Sequence, residues 1–142
     1  MKKKLIILFT CIMAFCLSAF VFTACDNNDT DNQESQLRFV LNEDGETVSV
    51  AGIGMYFKRN LVIPETYKGY PVTEISDMAF YATSSITSIE IPHNIKSIGK
   101  GAFYGCTGLK SVTMSNGVES IGDSAFLNCQ LLTSVAIPNS VK

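Results

Sequence analysis

The sequence contains no tryptophan and a single histidine, His93. Without a second imidazole there is no H-E-x-x-H metal site, and a lone histidine just after Pro92 makes a Ser-His-Asp triad improbable. Charge of one sign is also lacking: 11 Lys and Arg face 13 Asp and Glu, for a formal charge of −2. That balance leaves no basic footprint for nucleic acid. Phosphate-binding glycine loops are missing as well. Gly99-Lys100-Gly101 lacks both the upstream glycine and the Ser/Thr of a P-loop, and Phe57 stands where the dinucleotide fingerprint after Gly52 and Gly54 needs a third glycine. No cofactor, metal or catalytic residue is expected. What is present is apolar: 46% hydrophobic against 17% charged residues, in 142 residues that allow one domain and little more.

The apolar excess begins at the start. Lys2, Lys3 and Lys4 precede an almost unbroken apolar run from Leu5 to Phe22, the pattern of a secretory signal. Phe22-Thr23-Ala24-Cys25 then resembles a bacterial lipobox, although Phe22 departs from the usual leucine. The reading is a lipoprotein signal peptide over residues 1–24 and lipid on Cys25; an uncleaved membrane anchor and a soluble secreted chain are the alternatives. Residues 25–36 read as an acidic flexible tether carrying Asp26, Asp29, Asp31 and Glu34 and no cation. They cannot bury enough surface to offset their ordering entropy. The acids serve solvation or a sorting signal.

From there a 23-residue period governs the chain. Phe80, Phe103 and Phe126 share it, as do Ala79, Ala102 and Ala125, then Ile75, Ile98 and Ile121, and the four-membered column Val72, Ile95, Val118 and Val141. Written out, the unit is I-P-x-x-V-x-x-I-G-x-x-A-F-x-x-C-x-x-L-x-S-V-x. One unit offers about six large apolar side chains worth roughly 1.5–3 kcal/mol each when buried. Ordering its backbone costs roughly 1–2 kcal/mol per residue, so one unit cannot fold alone. Stacked units bury one another's faces, which predicts a solenoid.

Leu109-x-x-Val112-x-Met114 matches the L-x-x-L-x-L segment of leucine-rich repeats, as do Ile86/Ile89/Ile91 and Leu132/Val135/Ile137. Alternation turns Val112 and Met114 inward and Ser111 and Thr113 outward. Stacked coils then form a parallel sheet with ~4.8 Å between strands, ended by Pro92 and Pro138. The other half of each coil is expected to hold a short extended piece and a tight helical or 3₁₀ turn. Upstream, Leu37/Phe39/Leu41 and Val48/Val50 alternate around Asp44-Gly45, a hairpin signal. Leu61-Val62-Ile63-Pro64 reads as the first repeat strand, followed by a five-residue insertion around Tyr67-Lys68-Gly69-Tyr70-Pro71.

This pattern resembles the BspA-like leucine-rich repeats of bacterial surface lipoproteins, most closely over Ile91–Thr113 and Met114–Ala136. The resemblance implies an α/β, β-rich fold: a right-handed leucine-rich-repeat solenoid of 23-residue coils with a parallel sheet on the concave face. An N-terminal β-hairpin cap occupies 37–60, with repeats over 61–142, the last one truncated. Ile137-Pro138-Asn139-Ser140-Val141 repeats the opening of a unit and then stops, so the sequence reads as part of a longer protein.

In this family the concave face commonly binds partners. Its outward positions here are Ser88, Glu90, Ser111, Thr113, Ser134 and Ala136, small and mostly neutral. Tyr67, Tyr70, Tyr81 and Tyr104 are further candidates, with edge packing expected of the last two. Cys106 and Cys129 occupy one column of neighbouring coils, where buried free thiols, a disulfide and a metal site are the readings. The function implied is non-catalytic binding or adhesion by a membrane-tethered, surface-exposed lipoprotein with a protein or glycan ligand. Glycan capture for nutrient uptake, or service as the repeat region of a longer enzyme, are the alternatives.

Overall fold

A computed structural model describes residues 37–54 and 59–142. The expected signal peptide, Cys25 and the expected tether lie outside the described residues.

The first described elements are β1 (Leu37–Leu41) and β2 (Val48–Ile53), paired antiparallel. Leu37 and Phe39 point into the core while Arg38 is exposed, as a half-buried strand requires. The turn between them is built on Asp44, whose carboxylate accepts from the Thr47 hydroxyl at 2.6 Å and from the Glu46 and Thr47 amides at 2.9 Å. Gly45 takes the left-handed conformation the turn needs, with φ +68°. β1 and β2 thus form the hairpin that the alternation around Asp44-Gly45 implies.

Seven further strands follow: β3 (Asn60–Val62), β4 (Thr66–Tyr67), β5 (Tyr70–Ile75), β6 (Ser88–Ile91), β7 (Ser97–Ile98), β8 (Ser111–Met114) and β9 (Ser120–Ile121). They form two ladders. One runs β1-β2-β5-β7-β9 with β4 attached to β5, and the other runs β3-β6-β8. β2 is the switch, antiparallel to β1 and parallel to β5. From β5 onward all inter-coil pairing is parallel and in register at 23 residues: Ile75 with Ile98 and Ile98 with Ile121, Ile89 with Val112. The coil is therefore the structural repeat.

The inserted segment has its own form. β4 and the start of β5 pair antiparallel, Thr66 with Pro71 and Tyr67 with Tyr70. Lys68 and Gly69 between them both have positive φ, +50° and +84°, the geometry of a tight two-residue hairpin.

The core lies between the two ladders. Val72, Ile95 and Val118 are fully buried in one column, with Phe80 and Phe103 in another. The phenylalanine rings stack, Phe80 on Phe103 at 5.0 Å and Phe103 on Phe126 at 5.2 Å, within 6° and 2° of parallel.

The helical part of the expectation is corrected. Among the described residues there is no helix, so the β-rich solenoid stands as expected and only the tight helical or 3₁₀ turn is replaced. The half-coil that carries Phe80 is a chain of tight turns in which alternate amides bond in opposite directions. Ala79 and Tyr81 donate back within the coil, to Ser76 and Met78, while Met78, Phe80 and Ala82 donate to Lys100, Ala102 and Tyr104 of the next coil at 2.7–3.0 Å. The next turn repeats this onto Asp123, Ala125 and Leu127. Two positions per turn are left-handed: Met78, Gly101 and Ser124, then Ala82, Gly105 and Asn128. A left-handed residue every fourth position breaks any α or 3₁₀ helix. The stacked turns act as a third ladder.

A second difference concerns the last unit. Leu132, Val135 and Ile137 have the strand pattern, yet residues 134–137 make no ladder with β8. Leu132 and Val135 are only half-buried and Ile137 is 52% exposed, so little apolar burial holds the segment against the sheet.

Candidate binding face

The β3-β6-β8 ladder presents two outward rows. Asn60, Ser88 and Ser111 are paired across the strands in one, and Val62, Glu90 and Thr113 in the other. Leu61, Ile89 and Val112, which alternate with them, are buried. All outward members are exposed except Ser88, which is half-buried. The reason for that is local: the Asn60 amide oxygen accepts from the Ser88 hydroxyl at 3.0 Å and from the Thr87 hydroxyl at 3.1 Å. These bonds tie the first coil to the second across the five-residue insertion.

The structure brings together Ser88, Glu90, Ser111 and Thr113, as the alternation implies, and leaves Ser134 exposed but outside the ladder. Asn60 and Val62 complete the rows and were missed. Their signal was present in Leu61-Val62-Ile63-Pro64, but with the insertion Asn60 stands 28 positions before its partner Ser88, so the column does not follow the 23-residue period.

Chemically the face offers hydroxyls, one amide, one carboxylate and an exposed valine. That is a set for hydrogen bonding and contact. His93 sits away from it at the end of β6, 71% exposed and 3.6 Å from Glu65. Among the described residues no three His, Cys, Asp or Glu side chains converge in metal-binding geometry.

The cysteines take the first of their three readings. Cys106 and Cys129 are free and buried. Each thiol donates to the preceding coil, Cys106 to the Phe80 carbonyl at 3.1 Å and Cys129 to that of Phe103 at 3.2 Å. Burial pushes the Cys106 thiol up to about 11 and raises that of Cys129. Tyr81 and Tyr104 stack on each other at 5.3 Å, and Asn128 donates to the Tyr104 hydroxyl at 3.0 Å.

Against this geometry the comparisons are direct. The pattern of the BspA type leucine rich repeat region matches residues 59–142, in six copies. The chain belongs to this family. No curated protein matches it. Among solved leucine-rich repeat structures, that of a T. pallidum leucine rich repeat protein is 27% identical with a TM-score of 0.71, the match covering 81% of this chain and 52% of that one. A leucine-rich repeat protein from Bacteroides capillosus is 31% identical with a TM-score of 0.69, over 75% of this chain and 81% of its own. A leucine rich cell surface protein from Faecalibacterium prausnitzii is 33% identical with a TM-score of 0.59, over 79% of this chain and 33% of its own. This BspA-type chain thus spans about half the T. pallidum protein and a third of the Faecalibacterium one.

Proposed function

We propose that this chain is a non-catalytic binding or adhesion module of a bacterial cell surface, tethered by lipid on Cys25, whose partner rests on the outward face of β3-β6-β8. The observation that carries the reading is the register of that ladder. Asn60, Ser88 and Ser111, and beside them Val62, Glu90 and Thr113, stand in two rows at backbone spacing. A rigid sheet presents such groups with little further entropy to lose on binding. Family membership and a structural neighbour that is itself a cell surface protein support the location.

The test uses the full chain in detergent micelles against immobilised laminin and collagen and against a glycan array. Ser111 and Thr113 are both exposed, so the double variant Ser111→Arg, Thr113→Arg should retain the fold by circular dichroism while losing capture at least tenfold. Capture unaffected by the double variant would remove this face from the reading. Selective retention on glycans instead of protein would redirect it to glycan capture.

A further inference from the structure

A recess lies at the hairpin cap, lined by no residue of the outward face of β3-β6-β8. Phe39, Leu41, Val48, Tyr67, Lys68 and Tyr70 line a mostly apolar pocket of about 130 Å³. The β4–β5 hairpin makes it by laying Tyr67 on Phe39, ring centroids 4.1 Å apart. Leu41 and Tyr70 form part of its rim, 36% and 41% exposed. Beyond Leu41, which lines both, an open groove of about 570 Å³ runs past Glu43, Asp44, Glu74 and Lys96. Three carboxylates there face one ammonium, and that ammonium lies 3.7 Å from a fourth carboxylate, Glu119.

Size and charge together specify an occupant. A dry cavity of about 150 Å³ accommodates one benzene ring, so this pocket takes a single aliphatic or aromatic side chain. A sugar would bring hydroxyl groups to apolar walls and lose their water without replacement. The neighbouring groove attracts cations and repels anions. Asp44 contributes a fixed negative charge, since three hydrogen bonds from Glu46 and Thr47 hold its carboxylate in place.

We propose that the cap captures an extended segment of a partner protein that places an apolar side chain in the Phe39–Tyr67–Tyr70 pocket and a lysine or arginine, one or two residues along, in the Glu43–Asp44–Glu74 groove. Two extended residues span roughly 7 Å, which suits two recesses that share Leu41 as their wall. The apolar anchor supplies the affinity and the basic residue the register, in the usual division between a buried anchor and its polar surround. This site is separate from the β3-β6-β8 face.

The experiment is selection of a random heptapeptide display library on the immobilised full chain, followed by affinity measurement of the enriched peptides. The expected outcome is enrichment of an apolar residue followed within two positions by Lys or Arg. Replacing either residue by alanine should weaken binding at least tenfold. Tyr70→Ser and Glu43→Lys, both at exposed positions, should each weaken it at least fivefold with an unchanged circular dichroism spectrum, and Glu43→Lys should favour an acidic residue in place of the basic one. The double variant Ser111→Arg, Thr113→Arg should leave peptide binding intact, which separates this site from the sheet face. No enrichment, enrichment without the apolar–basic pair, binding indifferent to Tyr70 and Glu43, or loss with the sheet-face variant would each overturn the proposal. So would maltohexaose competing for the pocket at lower concentration than the peptides.

Discussion

The thiol of Cys106 donates to the carbonyl oxygen of Phe80, one coil earlier, at 3.1 Å, and Cys129 repeats the contact onto Phe103 at 3.2 Å. The cysteine column is therefore a hydrogen-bonding column as well as a packing one.

A pH dependence follows from it. Burial raises the folded Cys106 thiol to about 11 from its ordinary 9.0. The folded state then keeps a proton that the unfolded state has released. Stability from this group is complete below pH 9.0 and is lost as pH rises toward 11. The melting temperature should fall across that window, and less in Cys106→Ser, whose hydroxyl does not titrate there. An aromatic disulfide reagent at pH 8 should label both thiols only after denaturation.

Phe103 lies between Phe80 and Phe126 and is fully buried. Phe103→Ala should cost ~3–5 kcal/mol in urea unfolding. Ser111→Ala, at an exposed outward position, should stay within about 0.5 kcal/mol. Equal losses would contradict the inward–outward assignment.

Two glycines separate space from conformation. A side chain at Gly117 would run into the His93 backbone, while one at Gly105 meets nothing closer than 3.6 Å. Gly105 is left-handed at φ +71°, and Asn128 holds the equivalent position one coil on at +62°. Gly117→Ala should therefore cost about 1–3 kcal/mol or more by forcing coils apart. Gly105→Asn should cost less than about 1 kcal/mol. Thermal melts of the two variants provide the comparison.

The proposed lipidation of Cys25 has a direct readout. Intact-mass analysis of the membrane fraction should show loss of residues 1–24 and gain of an acylated glyceryl group on the new N-terminus. Cys25→Ser should abolish the added mass. A mature chain that keeps Met1, or one without lipid, would contradict the tether.

Much of this architecture was legible because it repeats. Three copies of Ile75, Ala79 and Phe80 at one spacing announce a coil, and Asp44-Gly45 between alternating runs announces a hairpin. The tight turn is legible, but not its left-handed form in place of a helical or 3₁₀ one, because apolar spacing reports which residues are buried and not how the intervening amides bond. Gly101, Gly105 and Asn128 were the available hint of left-handed positions, weakened by Met78, Ala82 and Ser124 in the same columns. Residues 134–137 form no strand for a different reason: their pattern matches Ser111–Met114, but Leu132 and Val135 are only half-buried and Ile137 is exposed, so little burial holds them to the sheet. At the binding face, Ser111 and Thr113 were found by alternation, whereas Asn60 was hidden by the inserted hairpin.

Both parallel ladders and the stacked turns step by 23 residues from β5 onward, and this sets how such a molecule can change in length. Deleting one residue between Ile98 and Ile121 shifts at least one of the three tracks and leaves its amides facing the wrong carbonyls. Deleting or duplicating a whole coil brings each donor opposite an equivalent acceptor, with Phe stacking on Phe and Cys again reaching back to a phenylalanine carbonyl. The length changes that this register tolerates are gains and losses of entire units, and copy number sets the reach of the surface they display.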